Sequence, residues 1–149
     1  MKRVIYFAGP LFTQAERIWN RKLTETILKK SGTIEIFLPQ EEAKKAKTEN
    51  GVDFKKIQEI CLKGIDVCDH VLAILDGSDS DSGTCFECGY GYALGKKIVG
   101  VRTDIRPGED QGLNAMLNQS CSSVIRYSAD NDSETDIEVL AEKIIKELE

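Results

Sequence analysis

The chain has little of what several common functional classes require. Imidazole chemistry rests on one histidine, His70. It opens an apolar run and has no evident serine or cysteine partner, so a structural role is expected of it. No stretch approaches the roughly 20 consecutive apolar residues of a membrane span. Basic residues are not in excess: 20 Lys and Arg stand against 25 Asp and Glu, a formal net charge of −5. Without a basic stripe, a nucleic-acid polymer is not the expected partner, although a single nucleoside is compatible. No Gly-x-Gly-x-x-Gly follows the first apolar run and no Walker lysine is present, so the usual cradle for a dinucleotide or triphosphate is missing. Receiver-type domains that hold Mg²⁺ need an acidic pair after their first strand, and that place reads Ala8-Gly9-Pro10. The five cysteines are odd in number, which favours reduced thiols. Cys85 and Cys88 form a Cys-x-x-Cys, but Cys61 and Cys68 lie seven apart and make no second zinc pair. They read as small buried apolar residues, and neither a metal nor a cofactor is expected. The basic start is short and Pro10 interrupts the run after it. It reads as a strand rather than a signal peptide, and a cytoplasmic location is expected.

What is present is organised around residues 70–99. An apolar, β-branched run at 71–75 has strand length. A cluster of Asp, Gly and Ser at 76–83 is a loop by composition. Residues 84–94 carry small and aromatic residues at helical spacing, closed by Gly95 and two lysines. A second strand is expected at 98–101. This is a βαβ unit, and in open α/β sheets ligands bind at the carboxyl ends of the strands. Glu87 falls one turn into the helix after such a loop, among apolar residues.

The remaining chain alternates in the same way. Strands are expected at 2–7, 33–38 and 122–127. Helices are expected from the Thr13–Glu16 capping box to about Lys30, over 53–68, as a short segment at 113–117, and over 136–148. Ile18, Trp19, Leu23 and Ile27 are the expected buried side of the first helix, and Phe54, Ile57, Ile60, Cys61, Gly64 and Ile65 that of the second. The charged segment up to Gly51 reads as a loop with at most one helical turn, and residues 128–133 as a polar linker. The expected architecture is one domain, 1–149, forming an α/β three-layer sandwich around a five-stranded parallel sheet in flavodoxin-like order.

Three groups then converge at the carboxyl ends of the strands: the turn from Tyr6 to Phe12, the acidic residues Asp76, Asp79 and Asp81, and Glu87. That leaves carboxylate chemistry. A carboxylate nucleophile or base, beside others that accept hydrogen bonds from hydroxyls, attacks sugar anomeric carbons through an oxocarbenium-like transition state. Asp81 also stands where a helix N-cap would.

Asp81-Ser82-Gly83-Thr84-Cys85-Phe86-Glu87-Cys88-Gly89-Tyr90-Gly91-Tyr92-Ala93 resembles the D-S-G-T-x-x-E-x-G-Y-A signature of nucleoside 2-deoxyribosyltransferases. Tyr6 to Phe12 resembles the opening strand and turn of that family, and Leu113-Asn114-Ala115-Met116 its late Asn-x-Met element. The resemblance implies that Glu87 is a nucleophile attacking C1′ of a deoxynucleoside. The sugar is then held as a covalent ester and passed to a free nucleobase, with ping-pong kinetics and net retention. It implies that Asp81 receives the sugar 5′-hydroxyl. Tyr6 is counted with Glu87 and Asp81 among the catalytic residues and, with Gly9, Pro10, Leu11 and Phe12, lines the base pocket. Gln40 bonds the base, Asp76 and Gly83 border the substrate, and Tyr90 orients Glu87. Asn114 and Met116 reach a neighbouring subunit's site, so a homo-oligomer is implied; packing beside Leu113 and Leu117 is the competing role for these two.

Two positions refine the resemblance. Relatives that hydrolyse deoxynucleoside monophosphates carry serine at Asp81, because a carboxylate repels phosphate. Aspartate therefore implies an unphosphorylated nucleoside. The family often carries an aspartate for base protonation at the place of Cys61, and a thiol is a poor acid at neutral pH. Two other functions stay open on sequence alone: an N-glycosidase that releases the same ester to water, and a non-catalytic nucleotide-sensing module.

Overall fold

The computed structural model describes residues 2–128 and 133–149. The expected polar linker lies largely outside these residues. Five parallel strands form the central sheet: β1 (Arg3–Ala8), β2 (Ile34–Phe37), β5 (His70–Ile74), β6 (Lys97–Arg102) and β7 (Ser123–Arg126). Their order is β2-β1-β5-β6-β7. Counting sheet strands alone this is 2-1-3-4-5, the flavodoxin-like order. Helices α1 (Gln14–Lys30) and α6 (Glu134–Leu148) cover one face, and α3 (Phe54–Val67), α4 (Ser82–Ala93) and α5 (Ala115–Ser120) the other.

The two-residue period of the strands sorts side chains into two cores. Ile5 and Phe7 point to the α1/α6 side with Leu72, Ile74, Val99 and Val101, where Leu23, Ile27, Leu140 and Ile144 meet them. Tyr6 and Ala8 point to the opposite side with Val71, Ala73, Leu75 and Ile98, against Ile65, Cys88, Leu113 and Leu117. A sheet buried on both faces explains why its central strands read as continuous apolar runs.

Helix α1 starts as its sequence requires. The Thr13 side chain accepts from the Glu16 backbone, and the Glu16 carboxylate accepts from Thr13 N–H at 2.7 Å. Leu23 and Ile27 are buried as expected, with Asn20 and Thr24 beside them, and Trp19 packs against the same core; Ile18 departs from the expectation, 52% exposed. Phe54 also lies outside the core, 78% exposed at the start of α3. Gly64 lets α3 settle on the sheet edge: a Cβ there would lie 2.7 Å from the Phe37 ring.

The charged segment up to Gly51 is more ordered than its composition suggests. A single helical turn, α2 (Pro39–Glu42), runs into a 3₁₀ turn (Ala43–Ala46), then a small antiparallel hairpin of β3 (Lys47–Thr48) and β4 (Gly51–Val52). The expectation of a plain loop is corrected here. Strands of two residues carry no readable alternation, and the hairpin closes on backbone terms: Gly51 adopts a φ of 120° and Ala46 O accepts from Asp53 N–H at 3.0 Å.

Candidate active site

The chain runs from β1 to β2 on one side, then crosses to β5 on the other. The crevice between the carboxyl ends of β1 and β5 is therefore the topological switch point, where ligands bind in open α/β sheets. Tyr6 comes from β1 and Glu87 from the helix that follows β5. Tyr6 Oη donates to Glu87 Oε1 at 2.6 Å, the short distance of a charge-assisted bond. Tyr6 has no exposed surface and its ring stacks on Phe37, with centroids 5.4 Å apart.

Burial opposes ionisation of Glu87 and is the largest influence on it. The Tyr6 hydrogen bond works the other way, and the charge of Asp81 adds to the burial effect; the carboxyl is pushed up to about 7. A group so placed exchanges its proton near neutral pH, which is unusual for glutamate and typical of catalytic carboxyls. Burial likewise pushes the Tyr6 hydroxyl far up, so it stays protonated and remains a donor. The Cys61 thiol interacts with both groups, and burial raises it too. It is a neutral neighbour of the carboxylate rather than an acid.

Asp81 caps α4. Its Oδ2 accepts from Thr84 N–H at 2.8 Å and from Thr84 Oγ1 at 3.0 Å. Its Oδ1 has no hydrogen-bond partner among the described residues. The N-cap and a free acceptor oxygen thus coexist in one side chain. Gly83, next along, is exposed, and a Cβ there would meet Asp81 Oδ2 at 3.2 Å.

The turn after β1 is held from behind. Asn20 Nδ2 donates to Pro10 O at 2.9 Å and to Gln40 Oε1 at 3.2 Å, and Gln40 Nε2 donates to Arg17 O at 3.0 Å. Arg17 Nη1 donates to the Leu11 and Phe12 carbonyls. Gly9 lies tight against β5, where a Cβ would sit 3.3 Å from Ile74. Gln40 is thus joined to the Pro10 turn, with both its amide atoms engaged inside the protein. Phe12 stands at the rim, 71% exposed. Asn20 is a residue that sequence reasoning missed. An Asn in register with Leu23 and Ile27 was the available signal.

Other expected site residues lie elsewhere. Asp76 is spent on the loop after β6: Oδ1 accepts from Thr103 and Asp104 N–H at 2.6 and 2.9 Å, and Oδ2 from Thr103 Oγ1 at 2.6 Å. Tyr90 does not orient Glu87. Although the two lie three apart on one side of α4, its hydroxyl donates instead to Asp66 Oδ1 of α3 at 2.7 Å. Asn114 caps α5, accepting from Met116 N–H at 3.0 Å, and Met116 is 82% exposed. Both line a groove of about 580 Å³ with Asp79, Ser82, Cys85, Gly89 and Tyr92. Residues 82, 85, 89 and 92 form one side of α4, and Glu87 leaves the helix from another. Within one chain, Asn114 and Met116 are therefore not brought to Glu87.

The family model described as nucleoside 2-deoxyribosyltransferase matches residues 5–117. The chain belongs to this family. The matched span holds every residue discussed at the crevice. Among solved structures, a conserved protein from Enterococcus faecalis V583 is 28% identical, with a TM-score of 0.80 and 99% of each chain covered. The 2-deoxyribosyltransferase of Bacillus psychrosaccharolyticus is 25% identical, with a TM-score of 0.68 over 90% of this chain and 95% of that one. The fold is shared further with a CMP N-glycosidase from Clostridium botulinum, at 16% identity and a TM-score of 0.61 over 95% and 98% of the two chains. Comparison with curated proteins gives no match. The family match and the Bacillus neighbour make this a nucleoside deoxyribosyltransferase-like enzyme. No helix among the described residues is long and apolar enough to cross a membrane.

Proposed function

We propose that the chain transfers 2-deoxyribose between nucleobases, with Glu87 as nucleophile. The ionised carboxylate attacks C1′ of an unphosphorylated deoxynucleoside. The C1′–N bond breaks, its electron pair leaves on the base nitrogen, and a C1′–O ester forms with Glu87. A nitrogen of a second base then attacks C1′ and returns the carboxylate. The departing base takes up one proton and the incoming base gives one up, so the cycle balances. Two inversions give net retention.

The single observation that carries this reading is the pairing of Glu87 with Tyr6 at the switch point. The phenol holds one carboxylate oxygen in place and shares its charge, leaving the other to attack. Asp81, through its unengaged Oδ1, accepts the 5′-hydroxyl, and its charge disfavours a phosphate at that end. The turn at Gly9, Pro10, Leu11 and Phe12, held by Asn20 and Gln40, borders the base. Asn114 and Met116 serve the site of a neighbouring copy in a homo-oligomer.

Deoxyinosine incubated with and without free adenine tests the proposal. Deoxyadenosine forms only when adenine is present. Release of hypoxanthine at the same rate without acceptor would identify a hydrolase, and no reaction in either tube would leave a binding module.

A further inference from the structure

A second cavity, of about 280 Å³, opens at the carboxyl ends of β6 and β7 and is lined by three arginines, Arg102, Arg106 and Arg126. None of Tyr6, Asp81 or Glu87 lines it. One carboxylate, Asp104, shares the wall, and Arg106 occupies it: Arg106 Nε donates to Asp104 Oδ1 and Oδ2 at 2.9 and 3.0 Å, and Nη2 bonds it again. The other two cations hydrogen-bond only to neutral groups, while Asp110, which accepts from Asn118 Nδ2 at 2.7 Å, acts on Arg126 through space. Arg102, 4% exposed, donates from Nη1 to Leu75 O and Gly77 O at 2.8 and 3.3 Å, and from Nη2 to Arg106 O at 3.1 Å. Arg126 donates from Nε to Gln111 O at 3.2 Å and from Nη2 to Asn118 Oδ1 at 2.9 Å. Neither has a carboxylate within ion-pair distance among the described residues.

Three guanidinium groups therefore line the cavity with one carboxylate, and Asp76 and Asp110 act on Arg106 and Arg126 only through space. Burying a cation without a counter-charge is costly, and carbonyl dipoles compensate it only in part. The backbone is shaped to keep Arg102 there. Gln111 and Gly112 both take positive φ, and a Cβ on Gly112 would lie 2.5 Å from Arg102 Nε. Donors remain. A guanidinium carries five N–H groups in a fork, and Nη1 of both Arg106 and Arg126 has no protein acceptor among the described residues. The volume falls below the roughly 300–1,000 Å³ of pockets that enclose drug-sized ligands. It suits a compact oxyanion.

We infer that this cavity is a binding site for a phosphate dianion, either the free ion or a small phosphate monoester. The anion bridges Arg106 on the loop after β6 to Arg126 on β7 and supplies the counter-charge that Arg102 lacks. It holds the loop that leads to Asn114 against the sheet. The inference stands apart from the deoxyribosyl reaction and is tested without it.

The full chain is titrated with inorganic phosphate and, separately, with ribose 5-phosphate, at constant ionic strength against chloride. Binding is followed by calorimetry and by amide NMR shifts. One site per chain is expected, with shifts centred on residues 102–113 and 126. Arg126→Gln should weaken phosphate by about tenfold, the scale of one charge-assisted bidentate contact, and leave the phosphate-free melting temperature and the turnover of deoxyinosine unchanged. Arg106→Gln, also at an exposed position, should weaken it as well. Tighter binding of ribose 5-phosphate would identify a monoester as ligand; tighter binding of inorganic phosphate would identify the free ion. Absence of saturable binding, equal affinity in Arg126→Gln, or shifts centred on the start of α4 would overturn the inference.

Discussion

Tyr6 and Glu87 are 81 residues apart in the chain and 2.6 Å apart in the fold, phenol to carboxylate. The bond ties the inner strand β1 to the helix after β5 at the point where the sheet reverses its order. Its energetic sense is clear. The hydroxyl favours the charged form of Glu87, against a larger opposing effect of burial.

Activity should follow the ionisation of Glu87. With its carboxyl near 7, kcat/KM for a deoxynucleoside should rise with pH through about 7 and level off above it. A pH–rate profile already flat from pH 5 would mean that another group is the nucleophile.

Stability should run the opposite way. The folded chain holds the Glu87 proton more tightly than the unfolded chain does. Between the ordinary carboxylate range and about pH 7, this residue therefore makes folding less favourable as pH rises. Glu87→Gln should abolish turnover yet stabilise the protein by about 1–3 kcal/mol at pH 8, with little effect at pH 4. Denaturant melts of both proteins at the two pH values measure this.

Tyr6→Phe removes the donor and keeps the ring stacked on Phe37. The Glu87 carboxyl should then rise further, moving the pH–rate profile up by about one unit or somewhat more, as expected for a hydrogen bond to a charged group. A merely structural tyrosine would lower the rate without moving the profile.

Gly64→Ala probes the support beneath the site. The new methyl group would press on the Phe37 ring, which stacks on Tyr6. Overpacking of this kind costs about 1–3 kcal/mol. The variant should melt lower and also turn over more slowly. Equal loss of stability from a substitution remote from Phe37, with no loss of rate, would be the control.

Asp76→Ala should act on stability. It strands the Thr103 and Asp104 backbone donors, worth about 1–3 kcal/mol. Chemical denaturation should detect it, and the KM for nucleoside should change little.

The sequence made the βαβ alternation, the parallel order and the inward place of Glu87 legible, because these follow from periodicity and from a carboxylate set among apolar neighbours. The Thr13–Glu16 cap was readable for the same local reason. What could not be read was long-range. Which tyrosine bonds Glu87 depends on strand register, and the role that the resemblance implies for Tyr90 is not the one the fold gives it. Asp76 reads as a substrate-bordering acid because its three donors lie on a loop 27 and 28 residues further along the chain. Ile18 and Phe54 stand exposed although the helices that carry them bury other apolar positions of the same expected faces. Apolar counting alone does not resolve either.

The β3–β4 hairpin has an evolutionary corollary. It hangs on the crossover between β2 and α3, bonded to neither edge of the sheet. Its two-residue tip, Glu49 and Asn50, is exposed. Lengthening a surface loop adds closure entropy only slowly. Homologues can therefore grow or shed sequence there while strand pairing elsewhere stays as it is, and a protein engineer can graft a tag at the same spot.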